Sequence, residues 1–399
     1  MNAKNVLIER CYIHDSKITT NEWNNDDYKN IHPAGSTGIQ MMGVSGVVIR
    51  YNDVVGSDKH RFNDVMEGTS NGSRNNSSTG SDADIYGNMM IYGEDDCIEL
   101  DGGQMNVRVY KNRMEQTRCG ISTAPNMMGP SYLFNNLIVN LGGSWNNESG
   151  SAVKAGGGPD GVIGRQYFIN NTMDSEASGP TNITYSGSSV YHAFSRNNIF
   201  VTHTPARNSL ANKNADERDD FDYDLIYGGI FNVPGENRET HGIFTAPQYV
   251  NAKDGIYHLA QSSPGTSGGT YIDNFNEETA PNLGAYRKGD TNAFMPYRPI
   301  DMHADKYRIE LKDGEIGEIT VNLGKIGENR SYSILKSMDD DWLEIINDKT
   351  ENIPATENST VTFKIRGDMS RCLRDEGKSM ILFRLDNGYS IPITVYVTK

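Results

Sequence analysis

Through the first half of the chain, apolar and polar positions return to one phrase: a few aromatic or apolar residues, an asparagine, then two or three mostly apolar residues. It reads VVIRYNDVV at Asn52, DIYGNMMI at Asn88, VRVYKNRME at Asn112, YLFNNLIV at Asn136, YFINNTM at Asn171 and FSRNNIFV at Asn198. The same register places Cys11 in VLIERCYIH and Asp224 in DFDYDLIY, so successive steps are 41, 36, 24, 24, 35, 27 and 26 residues. Strand-length runs rich in Val, Ile, Tyr and Gly, without helical period and at variable spacing, predict an all-β parallel solenoid. The 24-residue steps approximate a bare coil, and the longer ones are coils carrying loop insertions. Such coils stack about 4.8 Å apart, which lets asparagines in successive turns hydrogen-bond along the axis. These asparagines are therefore expected to hold the scaffold and do no chemistry.

The texture changes after NAFMPYRPIDM (292–302). GEIGEITVNLG, STVTFKIRG, SMILFRL and SIPITVYVT alternate apolar and polar residues between turns, the pattern of a small antiparallel β-sandwich. The expected organisation is a solenoid over 1–290, a linker over 291–302 and the sandwich over 303–399. GIYHLAQSSPGTSGG…NLGAY (256–286) resembles the closing rung of parallel β-helix proteins, and that resemblance implies a last coil there. At the other end, NAKNVLIERCYIHD enters in mid-coil, without the cap that solenoid ends normally carry, so an N-terminal extension of the native polypeptide is expected.

Composition adds that 36% apolar content, 41 glycines and 22% charge suit a soluble, loop-rich β protein with a buried core. No segment approaches the roughly 18 unbroken apolar residues of a membrane-spanning helix, so membrane insertion is not expected. A net charge of −15 argues against nucleic acid or anionic lipid as partner, and an anionic sugar would need a bridging cation. Cys11, Cys97, Cys119 and Cys372 match neither a zinc site nor a disulfide framework and are expected to be free, buried thiols. The chain is expected to act as a monomer.

Charge matters most in EDDCIELDGG (94–103), where Glu94, Asp95, Asp96, Glu99 and Asp101 crowd one strand although like charges on a sheet repel. With the asparagines as ruler, NDVMEG (63–68), DDCIELDGG (95–103), CGISTAP (119–125) and SAVKAGGG (151–158) stack as successive rungs. Pointing Met66, Ile98, Ile121 and Val153 inward sends Glu67, Glu99, Ser122 and Lys154 outward in one column, with Asp64 and Asp96 in a second. Stacked anions oppose folding unless protons or a cation relieve them. Two occupants fit: a hard divalent cation such as Ca²⁺, or a glycoside, with two of Glu67, Asp96, Glu99 and Asp101 as acid and base. Lys154, between an apolar strand and glycines, would otherwise be solvated or paired with Glu99.

The repeated coil resembles the right-handed parallel β-helix proteins of carbohydrate metabolism over about residues 1–290. DDCIEL, the earlier Asp of FNDVME and the later AVKAGG are similar to β-helical pectate lyases of polysaccharide lyase family 9. That resemblance implies Asp64, Asp95, Asp96 and Glu99 as Ca²⁺ ligands and Lys154 as the base of β-elimination on an acidic polysaccharide; from the column itself, Glu99 and Glu67 are candidate catalytic carboxylates beside Lys154. Glu99 stands where the family has Asp, and the rung CGISTAP lies between the acidic strand and Lys154. About 9.6 Å of axial separation would then be bridged by the sugar. Arg118, Ser122, Arg165, Tyr185 and His192, on the same or following rungs, are candidate sugar contacts. DDDWLEII (339–346) with TVTFKI and ITVYVT is similar to BACON-type Ig-like modules. A secreted, periplasmic or cell-surface location is implied by resemblance alone. A metal-free hydrolase and a noncatalytic glycan-binding protein holding structural Ca²⁺ are the alternatives. The insertion GTSNGSRNNSSTGSD (68–82) has linker composition and is either a lid or a tolerated excursion.

Overall fold

A computed structural model of the chain describes residues 3–17, 36–57, 60–68, 71–75, 79–142, 150–156, 164–183, 192–212, 217–233, 238–290, 293–372 and 374–399. Among them, three eight-stranded sheets run the length of the N-terminal region, and each coil lends one short strand to each sheet. The first sheet runs from Leu7–Glu9 to Asp220–Phe221, the second from Tyr12–His14 to Leu225–Tyr227, and the third from Ile39–Gln40 to Ile230–Asn232. Neighbouring strands pair in parallel, rung on rung, which is the β-helix architecture the asparagine phrase predicts. The interior is filled by aligned apolar columns: Ile49, Ile85, Val109, Leu133 and Phe168 from the first sheet, Met90, Met114, Ile138 and Met173 from the second, and Met66, Ile98, Ile121 and Val153 from the third. Fully burying one such side chain contributes about 1.5–3 kcal/mol.

The asparagines form the expected ladder at the turn between the first and second sheets. Asn52 Nδ2 donates to Asn88 Oδ1 at 3.0 Å, Asn88 to Asn112 at 3.0 Å, Asn112 to Asn136 at 3.1 Å, Asn136 to Asn171 at 3.0 Å and Asn171 to Asn198 at 2.9 Å. Asn198 closes the row on the Asp224 carboxylate at 2.9 Å, and Cys11 opens it through its backbone N–H on Asn52 Oδ1. The residue before each ladder position, Tyr51, Gly87, Lys111, Asn135, Asn170, Asn197 and Tyr223, has positive φ, which makes the corner sharp enough to turn the asparagine inward. All six ladder asparagines are fully buried, so this row satisfies backbone groups that the coil interior would otherwise orphan.

The segment 256–286 does not form a closing rung. Ile256–Leu259 instead pairs antiparallel with Tyr249–Asn251, and the chain beyond runs back along the outer face of the second sheet. There Tyr257, Ala285, Tyr286 and Met295 cover Leu137 and Val139, while Leu283 covers Ile199, Val201 and Leu225. The reason is apolar demand: the outward residues there, Leu137, Val139, Ile199, Val201 and Leu225, are hydrophobic and need a cover. The expected linker is docked in the same way, with Met295 in that cluster and Arg298 buried against Asp53 at 2.8 Å.

From Met302 onward, a four-stranded and a five-stranded sheet share one core containing Ile319, Val321, Phe363 and Ile365 from the former and Ile309, Ile381, Phe383 and Ile393 from the latter. The pairings are antiparallel except for Arg308–Lys312 beside Ser390–Thr398. This sandwich lies on the first coils of the second sheet, with Met380 and Leu382 packed on Val55, Met89 and Ile91. Strap and sandwich thus cover much of the outer face of the second sheet, though Tyr227 at its far end is 47% exposed, and the acidic cluster lies on the third. All four cysteines are free; Cys97 and Cys119 are buried, whereas Cys11, at the head of the ladder in the first described coil, and Cys372, capping the short turn Met369–Arg371, are partly exposed, contrary to expectation.

Candidate functional site

The four rungs of the acidic wall stack as their hydrophobic pattern requires. Ile98 lies beside Met66 and Ile121, and Ile121 beside Val153, so Ser122 falls between Glu99 and Lys154 in one outward column. The acidic strand Asp96–Glu99 breaks strict alternation at its start, because consecutive Cys97 and Ile98 both join the core. That irregularity lets Asp96 share the outer wall with Glu99, three residues further on.

Asp64, Asp96 and Glu99 each offer an oxygen to a group whose members all lie within 4.8 Å of one another. Asp95 lies on the other side of Asp96, in a separate group with Cys119, so three of the four expected metal ligands converge and the fourth flanks them. Asp64 Oδ1 accepts from the Asp96 backbone N–H at 2.7 Å and its Oδ2 from Asn63 Nδ2 at 2.8 Å. Asp96 Oδ2 accepts from Lys154 Nζ at 2.6 Å, while Asp96 Oδ1, on a residue only 1% exposed, has no hydrogen-bond partner. Lys154 therefore pairs with Asp96, not Glu99, and its amine spans two rungs directly without a bridging sugar. Ser122 explains this: the intervening rung carries a small side chain, its hydroxyl drawn aside to Asp101 Oδ1 at 2.6 Å, and the four-carbon lysine stem passes over it. Asp101 also accepts from Ala124 N–H at 2.6 Å.

Burial dominates the electrostatics. It pushes the Asp64 carboxyl well above the usual carboxylate range, helped by Asp96, Asp95 and Glu99. Burial, then Asp101 and Asp96, raise Glu99 to about 9. Asp96 is raised by burial to about 7, with Lys154 pulling it back. Asp101 is raised by burial against the same opposing pull of Lys154. For Lys154, burial disfavours the charge, but Asp96, Asp95 and Asp101 outweigh it and hold the pKa well above the ordinary lysine value. Burial therefore favours the neutral forms of Asp64 and Glu99, while Lys154 opposes the rise at Asp96, the carboxylate it faces.

Other candidates are dispersed. Glu67 ends its strand half-buried and accepts from Thr37 Oγ1 at 2.6 Å. Ser122 is fully buried, so its hydroxyl orders Asp101 and does not face a ligand. Arg118, half-buried, directly precedes the strand Cys119–Thr123 at the rim of the wall. Arg165 and His192 belong to the corner where the chain enters the first sheet; Arg165 donates to the Arg218 carbonyl at 2.5 Å, and His192 is only 2% exposed. Tyr185 lies outside the described residues. Sequence reasoning missed two amides at the site. Asn63 touches Asp64, and Asn71, from the insertion, donates to Glu99 Oε1. Asn63 was readable as Asp64's neighbour, whereas Asn71 sits in a Gly/Ser/Asn run with no distinguishing signal. Glu94, the fifth carboxylate of the run, is neutralised apart from the cluster by the buried Arg61 at 3.1 Å.

The fold and wall define this chain as a parallel β-helix protein with a buried acidic cluster on its third sheet. No known protein family matches it, and no curated protein is significantly similar to it.

Proposed function

We propose that the protein is a polysaccharide lyase that binds a divalent cation, Ca²⁺ by its donor set, on Asp64, Asp96 and Glu99 and cleaves a uronate-containing glycan with Lys154 as base. The observation that carries this reading is three convergent carboxylates at 1%, 1% and 7% exposure, one with an orphaned oxygen, beside a lysine whose side chain is 21% exposed. An ion reaches oxygens that deep, and all-oxygen carboxylate sets suit a hard cation. A glycosidic bond does not reach them, which disfavours the hydrolase.

A bound cation would supply counter-charge for the sugar carboxylate as the adjacent C–H proton leaves. Lys154 takes that proton, the electron pair forms the new C=C bond, and the glycosidic oxygen departs. For this Lys154 must be neutral. Once Asp96 serves as a ligand, its charge no longer holds the ammonium, and burial then favours the free amine. In this reading Glu67, on the preceding rung, orients the sugar.

One feature favours a second reading, a glycan-binding protein with a structural cation: the Lys154–Asp96 pair keeps the amine protonated as the site stands. Incubation with a panel of uronic polymers separates the two. Ultraviolet absorbance of an unsaturated product, abolished by EDTA and by Lys154→Ala, is the expected result. Calcium-dependent glycan retention without product would overturn the lyase, as would new reducing ends insensitive to EDTA.

A further inference from the structure

One aromatic ring of the second sheet is left out of the cover that its neighbours receive. Leu225 is packed beneath Leu283 with Ile199 and Val201, yet Tyr227, two positions further and so on the same outward side of the strand Leu225–Tyr227, is 47% exposed. Beside it lies a cavity of about 500 Å³, walled by the coil (Asp174, His203), the chain that crosses the sheet (Pro247, Tyr249, Tyr257) and the sandwich (Arg308). Small-ligand sites favour such junctions and span roughly 300–1,000 Å³. A hollow next to an exposed tyrosine forgoes apolar burial that the covered part of this face obtains.

The lining has two characters. Tyr227, Ala246, Pro247 and Tyr257 give it an apolar floor, and the rings of Tyr249 and Tyr257 meet edge to face at 5.1 Å. The polar part is balanced in charge: the carboxylates Asp174, Glu176 and Glu310 face the basic side chains His203, Lys253 and Arg308. Each carboxylate is already engaged, Asp174 by His203 Nε2 at 2.5 Å, Glu310 by Arg308 at 2.6 Å and Glu176 by Thr204 Oγ1 at 2.9 Å. A phosphate or a metal ion would meet compensated charges of both signs. A hydroxyl both donates and accepts, so adjacent acid and base side chains serve it equally well. An apolar floor within a border of such pairs fits a sugar ring, whose C–H face is apolar and whose edge is hydroxylated.

We propose that this cavity is a second binding site, for a neutral sugar unit of a glycan, separate from the acidic wall and independent of any cation. The C–H face of the sugar lies on Tyr227, and its hydroxyls bond to the Asp174–His203 and Arg308–Glu310 pairs. Asp174 occupies Nε2 of His203, so Nδ1 is the ring atom that serves the ligand.

The test is isothermal titration of the full chain, in EDTA, with cellobiose, xylobiose, mannobiose and galactobiose, and with digalacturonate as the acidic comparison. EDTA silences cation-dependent binding at the wall. Saturable binding of at least one neutral disaccharide is expected, about tenfold weaker in Tyr227→Ala, which removes the aromatic floor, and weaker also in His203→Ala. Both side chains are about half exposed, so both variants are expected to fold as the wild type does. Tyr271→Ala, which removes a tyrosine of similar exposure outside the cavity, is expected to bind unchanged. Binding of none of the four neutral sugars overturns the proposal. So does binding that Tyr227→Ala leaves intact, and so does binding of digalacturonate alone, which would make the cavity an anion site. Because EDTA is present throughout, failure of the cation reading at the wall alters none of these outcomes.

Discussion

At the scale of single residues, four of the five carboxylates in one ten-residue run have distinct means of relief. Glu94 is paired with Arg61, Asp96 with Lys154, and Asp101 is bound by Ser122 and the Ala124 N–H, while burial favours the neutral carboxyl at Glu99, as it does at Asp64 on the rung before. The proton-dependent part has a definite sign. Asp64, Asp96 and Glu99 have folded pKa values above the roughly 4 of an unfolded carboxylate, so their contribution to stability is complete below that value and is lost as pH rises through about 7 and about 9. Lys154, raised above its ordinary value, keeps its contribution throughout this window. In EDTA the melting temperature is therefore expected to fall from pH 6 to pH 9; with saturating Ca²⁺ the fall is suppressed, and Ca²⁺ affinity rises over the same interval. A melting temperature independent of pH in EDTA would contradict the assignment of buried protons. Strand register announced which residues share this wall, because inward apolar positions leave no choice. It did not announce that Lys154 touches Asp96, since that depends on a long stem crossing a small Ser122, nor that His192 is buried at a corner.

Among the elements, the asparagine ladder was the most legible, because a buried amide needs partners at every rung and its spacing survives loop insertions of any length. Asn112 stands at mid-row: it donates to Asn136 Oδ1 and the Ile85 carbonyl and accepts from the Asn88 N–H and Nδ2. Asn112→Ala leaves several of these groups buried and unpaired, at about 1–3 kcal/mol for each. A total loss of about 3 kcal/mol in urea-induced unfolding is expected, with the acidic wall undisturbed in Ca²⁺ titration; a loss below about 0.5 kcal/mol would show that the row is dispensable. Less legible was the segment beyond Asn232. Its glycines, prolines and scattered apolar residues suit another rung as well as a strap, and only the uncovered face of the second sheet decides between them.

For the whole molecule, strap, former linker and sandwich all pack on the second sheet, so solenoid and sandwich share polar as well as apolar contacts. Asp53, fully buried on the solenoid, accepts from Arg298 at 2.8 Å, from Arg384 at 3.4 Å and from Ser390 Oγ at 2.5 Å. Asp53→Ala strands buried guanidinium charge and is expected to cost about 3–5 kcal/mol, lowering a single calorimetric transition common to both parts. Two separate transitions in the wild type would contradict this coupling. The sandwich is thus a structural partner of the coil, and its antiparallel sheets were visible as a change of strand pattern, while its docking was not. The single rung between Asp96 and Lys154 acts as a spacer of fixed thickness. Since strands come only in whole layers, the gap between amine and carboxylate changes in quanta of about 4.8 Å. Splicing in one more bare coil would push the two out of reach, whereas removing one would bring the amine onto the acidic strand's immediate neighbour. The chemistry of this wall is therefore tuned digitally, by counting layers, and side-chain length supplies only the fine adjustment.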